Sequence, residues 1–183
     1  MLENVNRIHC IGIGGIGVSA LAQLWQAQGK VVSGSDAEES EITRALVEQG
    51  IKVHIGKESV VSSQESADIV AYSDAVPEDH LERVAARVRG VPELSYAQAL
   101  GEVSREYRTI VVTGTHGKST TTALLGLMLE AAGMDPLVIV GSKVPKWGNV
   151  NLRLPSSQSS VHSLQYFVVE GDDYRDHFLE LQP

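Results

Sequence analysis

Residues 111–122 read Val-Val-Thr-Gly-Thr-His-Gly-Lys-Ser-Thr-Thr-Thr, an apolar strand followed by a glycine turn and a helix-forming segment. This order predicts a phosphate-binding loop, because backbone N–H groups of the turn and of the helix N-terminus point at an anion placed there. In such a loop Lys118 reaches the β- and γ-phosphates of a nucleoside triphosphate, and the hydroxyl of Ser119 binds Mg²⁺.

The spacing of this loop differs from the common pattern G-x-x-x-x-G-K-[ST]. That pattern needs a glycine at position 112, where this chain has Val112, and the nearest glycine is Gly114. The loop is therefore the shorter G-x-x-G-K-S. An ordinary strand–helix turn with a Gly-Lys pair is the competing interpretation. The order of strand, glycines, lysine, hydroxyl and helix favours a phosphate site.

A second glycine-rich loop, Gly-Ile-Gly-Gly-Ile-Gly at residues 12–17, lies about a hundred residues upstream and matches G-x-G-x-x-G. It ends an apolar strand at 6–13 and opens a helix at 18–28, and Asp36 follows about 20 residues on, as in dinucleotide-binding sheets. These features favour a dinucleotide-binding domain, with a nucleotide-sugar site as the alternative, since both ligands place a diphosphate at a helix N-terminus. Asp36 either accepts a hydrogen bond from a ribose hydroxyl or caps the helix near Glu41.

The rest of the chain alternates strands with helices, which predicts an α/β fold. A Rossmann-like parallel sheet is expected over residues 1–105, followed by a P-loop-type α/β domain over 106–183. That second domain has three recognisable strands, so we expect it to be incomplete. Three loops should meet at the carboxyl edge of the first sheet, at 12–17, 34–36 and 73–77. The further expected strands are 30–33, 51–55, 67–72, 109–113, 137–140 and 166–169, and the further helices are 41–49, 79–89, 95–105 and 118–132.

Composition excludes several classes of function. The 183 residues carry a formal charge of −8, whereas a general nucleic-acid surface needs a basic excess. Cys10 is the only cysteine, so no intrachain disulfide can form, which fits a reducing cytoplasm. No apolar run approaches about 18 residues, so no membrane span is expected.

Glu170 follows the apolar strand at 166–169 and precedes Gly-Asp-Asp. An acid at the carboxyl end of a parallel strand, near a phosphate loop, suits a Mg²⁺ site. The alternative is a solvated loop acid with no ligand.

Four segments together resemble the Mur ligase family. They are Ile-Gly-Ile-Gly-Gly-Ile-Gly-Val-Ser at 11–19, Ser-Gly-Ser-Asp at 33–36, the phosphate loop at 114–122 and Glu-Gly-Asp-Asp at 170–173. The resemblance covers the whole chain. It implies that the first domain holds the UDP part of a substrate and not a dinucleotide. It also implies a cytoplasmic enzyme of peptidoglycan synthesis that uses ATP and Mg²⁺ to join L-alanine to UDP-N-acetylmuramate through an acyl phosphate.

The resemblance also assigns roles to individual positions, with Lys118 as the catalytic residue. The implied ATP-binding residues are Gly114, Thr115, His116, Gly117, Lys118, Ser119 and Thr120. The implied UDP-sugar-binding residues are Gly14, Gly15, Ile16, Gly17, Ser35, Asp36, Ser73, Asn151 and Arg153. The implied metal ligands are Ser119 and Glu170.

Some features depart from the family pattern. Ser119 replaces the more usual threonine but keeps the hydroxyl. The tyrosine at position 174 is more similar to the pattern of a sister ligase, which attaches a recycled tripeptide to the same nucleotide. Family members have three domains, whereas this chain ends inside the second, so we expect the chain alone not to catalyse ligation. A UDP-sugar-binding module without catalysis is the competing hypothesis. A nicotinamide-dependent oxidoreductase is disfavoured because it would leave the phosphate loop unexplained.

Overall fold

The computed structural model describes residues 2, 5–56, 66–156, 165–171 and 180–181. The chain divides into two compact units, Met1–Ala99 and Leu100–Pro183. The division falls within the helix α4, Tyr96–Ser104. No helix in the described part of the chain is both long and apolar enough to cross a membrane.

The first unit is a five-stranded parallel sheet in the order β3-β2-β1-β4-β5. This confirms the Rossmann-like α/β fold predicted from the sequence. Its strands are β1 Arg7–Ile11, β2 Val31–Asp36, β3 Lys52–Ile55, β4 Ile69–Tyr72 and β5 Glu93–Ser95, and its helices are α1 Ile16–Ala27, α2 Glu41–Glu48 and α3 Leu81–Val88. The three-residue strand β5 was not predicted.

Residues along β1 and α1 form much of the core of this unit. Ile8, Cys10 and Ile11 of β1 are buried, as are Leu21 and Trp25 of α1. A central parallel strand covered on both faces reads as a continuous apolar run, which is why the sequence identified it readily.

The ends of these elements differ from the predicted ones for local reasons. β1 stops at Ile11 and not at residue 13, because the N–H groups of Gly12 and Ile13 both turn to the carbonyl of Ser35. β2 continues to Asp36, beyond the predicted end at residue 33, because residues 33–36 pair with β3. Gly34 has to be a glycine, since a Cβ there would lie 2.6 Å from the Cys10 carbonyl oxygen.

The second unit is a four-stranded sheet in the order β6-β9-β7-β8. Its strands are β6 Arg108–Val112, β7 Leu137–Val144, β8 Val150–Arg153 and β9 Tyr166–Glu170; α5 is Lys118–Ala131, and a short 3₁₀ helix covers Pro145–Trp147. β6, β9 and β7 run parallel, whereas β8 is antiparallel to β7. The prediction of three strands was therefore wrong by one, since β8 was not recognised in the sequence.

The antiparallel pairing between β7 and β8 is irregular. Ile139 pairs with Leu152 and Val144 with Val150, so four residues of β7, 140–143, stand opposite the single residue Asn151.

Helix α5 packs closely against β7. A Cβ on Gly126 of α5 would be 2.9 Å from a methyl of Val138. Val138, Val140, Val144 and Val168 form the buried cluster here, with Ala123, Leu125, Leu129 and Trp147 packed against it.

Candidate functional site

The glycine loop of the first unit is held by the carboxyl end of β2. The carbonyl of Ser35 accepts hydrogen bonds from Gly12 N (2.8 Å) and Ile13 N (3.0 Å). Oδ2 of Asp36 accepts the N–H of Gly14 at 2.7 Å. Gly12 has a φ of +75°, a conformation that favours glycine. Two neighbouring residues of β2 therefore fix the path of the loop.

Asp36 does not cap α2, so that interpretation was wrong. The N-cap of α2 is Ser40, whose hydroxyl accepts the N–H of Thr43, while the Thr43 hydroxyl accepts the N–H of Ser40. This reciprocal pair is a capping box and satisfies the helix end without Asp36. The other predicted role, a hydrogen bond to a ribose, stays a prediction.

A cavity of about 640 Å³ opens beside this loop, large enough for a nucleotide. The three loops predicted to meet at the carboxyl edge of the sheet all contribute to its wall. Among the predicted UDP-sugar-binding residues, Gly15, Ser35, Asp36 and Ser73 line it. The apolar part of the wall comes from Val76, Pro77 and Leu81.

The remaining predicted residues of this loop lie beside the cavity. Gly14 donates its N–H to Asp36, and Ile16 is the first residue of α1. Gly17 faces Tyr96 so closely that a Cβ would lie 2.6 Å from Cζ of the ring. Gly17 therefore permits the close packing of α1 against the ring of Tyr96.

Glu82 also lines the cavity, and sequence reasoning did not find it. It is the second residue of α3, where an acid is ordinarily explained by the positive end of the helix dipole. Nothing local distinguishes a buried glutamate from a solvated one at this position, so no sequence signal could have identified it.

The two helices that follow glycine loops have uncapped N-termini. The N-cap residues are Gly15 for α1 and Gly117 for α5, neither helix has a side-chain cap, and neither has an acid in its first turn. Helix N-termini carry unpaired N–H groups and a partial positive charge. Both ends are thus suited to receive the phosphates of a ligand, in contrast to α2 with its capping box.

The phosphate loop connects β6 to α5 as predicted. Gly114, Thr115, His116 and Gly117 are exposed, as is Thr120 in the first turn of α5. Gly117 adopts a left-handed conformation with a φ of +76°. Lys118 folds back across the loop, and its Nζ donates to the carbonyl of Gly114 at 2.9 Å. The lysine ammonium therefore lies over the turn where phosphates would bind.

Glu170 lies next to this loop because β6 and β9 are neighbours. Val112 pairs with Glu170, and Gly171 N donates to the carbonyl of Val112 at 2.9 Å. The hydroxyl of Ser119 donates to Oε2 of Glu170 at 3.0 Å, and Gly141 N donates to Oε1. Glu170 is thus held by two partners and is not a solvated loop acid.

The Ser119–Glu170 pair fits a Mg²⁺ ion in its chemistry. A hydroxyl and a carboxylate are hard oxygen ligands, and Mg²⁺ commonly takes one or two protein ligands and completes its shell with water and phosphate oxygens. Among the residues that the structure describes, no group of three or more His, Cys, Asp or Glu side chains is placed to hold a metal ion. Asp172 and Asp173, which follow Glu170, lie outside those residues, as does Tyr174.

Asn151 and Arg153, predicted to bind the sugar substrate, have structural partners. Asn151 is buried, and its Nδ2 donates to the carbonyl of Val140 at 3.3 Å, within the irregularity of β7. Arg153 pairs with Asp135 at 2.9 Å and with Glu130 at 3.4 Å. Arg153 is level with Val138 near the amino end of β7, away from the edge that carries Glu170. Their role in substrate binding stays a prediction.

Comparisons with known proteins place these features in context. The family model described as "Mur ligase family, catalytic domain" matches residues 7–108. The UDP-N-acetylmuramate–L-alanine ligase of Frankia casuarinae is 39% identical over 185 residues, which cover 99% of this chain and 35% of that protein. The corresponding ligase of Chlorobium phaeovibrioides is 40% identical, with coverages of 100% and 37%.

Two solved structures have the same fold. The UDP-N-acetylmuramate–alanine ligase of Thermotoga maritima superposes with a TM-score of 0.82 at 31% identity, covering 97% of this chain and 39% of that one. The UDP-N-acetylmuramate:L-alanyl-γ-D-glutamyl-meso-diaminopimelate ligase from Neisseria superposes with a TM-score of 0.80 at 32% identity, with coverages of 93% and 54%. The chain spans little more than a third of the length of the curated relatives it matches.

Proposed function

The chain belongs to the Mur ligase family, and from this we propose that it is the nucleotide-binding part of an ATP-dependent ligase that joins L-alanine to UDP-N-acetylmuramate. The observation that carries the proposal is the grouping of Lys118, Ser119 and Glu170 around one phosphate loop. A lysine, a metal-binding hydroxyl and an acid are the groups that phosphoryl transfer from ATP requires.

In the proposed reaction the substrate carboxylate attacks the γ-phosphorus of ATP, giving an acyl phosphate and ADP. The amine of L-alanine then attacks the acyl carbon; the C–N bond forms, the C–O bond to phosphate breaks, and the amine proton leaves to solvent or a base. Lys118 exchanges its neutral partner, the Gly114 carbonyl, for phosphate oxygens and stabilises their negative charge. Mg²⁺ held by Ser119 and Glu170 would neutralise charge on the same phosphates.

The first unit is proposed to hold the UDP moiety. The diphosphate would lie at the N-terminus of α1 against Gly14, Gly15, Ile16 and Gly17, while Ser35, Asp36 and Ser73 contact the nucleoside. The cavity size and the uncapped helix end support this placement. In the second unit, we keep Gly114, Thr115, His116, Gly117 and Thr120 as proposed ATP contacts because they surround the same uncapped helix end.

A second candidate acceptor is the tripeptide L-alanyl-γ-D-glutamyl-meso-diaminopimelate. It is favoured by the similarity to the Neisseria ligase, whose name includes that peptide. Both reactions would use the same nucleotide, so the cavity of the first unit does not separate them. A ligation assay offering L-alanine and the tripeptide in turn distinguishes the two acceptors.

We also propose a cytoplasmic location, in keeping with the one cysteine, Cys10, being free and buried.

Calorimetric titration tests the proposal. UDP-N-acetylmuramate should bind with a micromolar Kd, and NAD should not bind. Tight binding of NAD without any response to the UDP-sugar would refute it. For the phosphate loop, Lys118→Ala should weaken ATP binding, whereas the exposed Lys146→Ala should leave it unchanged. Equal ATP affinity in both variants would remove Lys118 from the proposed site.

A further inference from the structure

Glu82 is a fully buried acid in the wall of the proposed nucleotide cavity. Its relative exposure is 0%, although it lies in the first turn of an eight-residue helix. Acidic side chains are almost never fully buried unless they are paired. The surroundings of its two carboxylate oxygens therefore need an explanation.

One of these oxygens is well provided with partners. Oε2 accepts a hydrogen bond of 2.5 Å from the hydroxyl of Ser35 and lies 3.6 Å from Nε2 of His9. The His9 ring is itself held by a 2.9 Å contact between Nδ1 and the Ser33 hydroxyl. These contacts fix the orientation of the carboxylate against β1 and β2.

The other oxygen, Oε1, has no hydrogen-bond partner in the described part of the chain. Leaving a buried polar acceptor unpaired is costly, so such atoms in native proteins call for an explanation. Glu82 and its partner Ser35 both line the cavity. Oε1 has less than 1 Å² of accessible surface, so a ligand donor reaches it after a small shift of the neighbouring cavity wall, and that contact would satisfy this oxygen.

The surroundings of Glu82 favour a donor from the nucleoside end of the nucleotide. A carboxylate repels phosphate, and the phosphates have a separate place at the uncapped N-terminus of α1. The apolar residues Val76, Pro77 and Leu81 share the cavity wall with Glu82 and suit the face of a base. A uracil base offers an imide N–H, and a ribose offers hydroxyl groups.

We propose that Glu82 is a specificity-determining residue whose free carboxylate oxygen accepts a hydrogen bond from the nucleoside part of the bound nucleotide. This inference rests on the proposed function of the cavity. It adds to the proposed site a residue that distinguishes ligands with a hydrogen-bond donor from ligands without one. A site built around a buried acceptor rejects analogues that leave the acceptor unpaired.

The test compares the affinities of UDP and three analogues for wild type and for variants of Glu82, measured by calorimetry. Wild type is titrated with UDP, with 3-methyl-UDP, which lacks the imide N–H, and with 2′-deoxy- and 3′-deoxy-UDP, which each lack one hydroxyl. We expect UDP to bind at least about tenfold more tightly than one of these analogues, and that analogue identifies the donor.

Glu82→Gln should reduce this preference to about threefold or less. In one orientation its amide presents a donor to the ligand donor, and in the other it offers only a neutral acceptor. Glu82→Met offers no acceptor and should abolish the preference. The exposed Glu78→Gln is the matched control and should keep it. A purely structural role would weaken all four ligands by the same factor and leave the preference unchanged.

The outcomes separate the two proposals. If wild type binds UDP but shows no preference, or if either folded Glu82 variant keeps the wild-type preference, the assignment of Glu82 is overturned and the nucleotide site stands. If wild type binds no uridine nucleotide, the proposed function of the cavity fails, and the role of Glu82 fails with it. Thermal melting of each variant establishes that it is folded.

Discussion

Ser119 and Glu170 are separated by 51 positions in the chain, yet the Ser119 hydroxyl donates a 3.0 Å hydrogen bond to Oε2 of Glu170. The first residue belongs to the helix after the phosphate loop, and the second ends the neighbouring strand β9. The acid is fixed from the other side by Gly141 N, at the irregularity of β7. Helix α5 and strand β7 thus each supply one support of a proposed metal ligand.

Gly141→Ala should weaken Mg²⁺-dependent ATP binding severalfold. A Cβ at this position would lie 3.2 and 3.3 Å from the carboxylate oxygens of Glu170, which would have to shift by a few tenths of an ångström. Gly141 does not have a positive φ, so the backbone tolerates alanine. Calorimetric titration of ATP with Mg²⁺ and with EDTA checks this. The affinity in EDTA serves as the control, and an unchanged difference between the two conditions would contradict the prediction.

Gly17→Ala should destabilise the first unit by about 1–3 kcal/mol, the usual cost of overpacking. The added Cβ would lie 2.6 Å from Cζ and 3.0 Å from the hydroxyl oxygen of Tyr96, so the ring has to move. Urea denaturation of Gly17→Ala, Tyr96→Ala and the double variant measures the coupling. The double variant should be clearly less destabilised than the sum of the single ones. Additive losses would show that the two side chains do not compete for space.

Cys10 should resist thiol reagents in the folded protein. Burial raises the pKa of its thiol to about 12, so the reactive thiolate is scarce at pH 8. Labelling with an aromatic disulfide should be slow in buffer and complete in denaturant. The labelling rate should rise with urea as the first unit opens. Rapid stoichiometric labelling in buffer would contradict the burial of this thiol.

Asp68 should make stability depend on pH in the acidic range. Hydrogen bonds from the backbone N–H of Asn6 and then of Arg7, helped by the Arg7 charge, lower the pKa of this carboxyl. Its folded pKa lies below the unfolded value of about 3.9. The stabilisation is therefore complete above that value and disappears as pH falls through the folded pKa.

Melting temperatures of wild type and Asp68→Asn between about pH 2.5 and 7 check this dependence. The variant should melt lower at neutral pH, and the two curves should converge at the acidic end. Glu48→Gln, which changes an exposed carboxylate on α2, is the control and should run parallel to wild type. A constant offset between Asp68→Asn and wild type at all pH values would refute the role of the ionised carboxylate.

The sequence predicted most of the strands and helices because their signals are local. Apolar runs such as β1 and β9, and helices bounded by glycines, were found to within a few residues. The short strands β5 and β8 were missed because three or four residues at a sheet edge carry no recognisable period. For the same reason the polar residues of β8, Asn151 and Arg153, were interpreted only as ligand contacts, although both have partners within the second unit.

The residues of the candidate site were likewise predicted only in part from the sequence. By itself the sequence determined the two glycine loops, the helices that follow them and the position of Lys118, because each is a contiguous strand–turn–helix segment. Only the tertiary structure decided that Asp36 holds Gly14, that Glu170 meets Ser119, and that Glu82 is buried in a cavity wall. Those contacts join residues 22 to 51 positions apart. They depend on strand order and register, which hydrophobic burial of the whole sheet sets and no local pattern encodes.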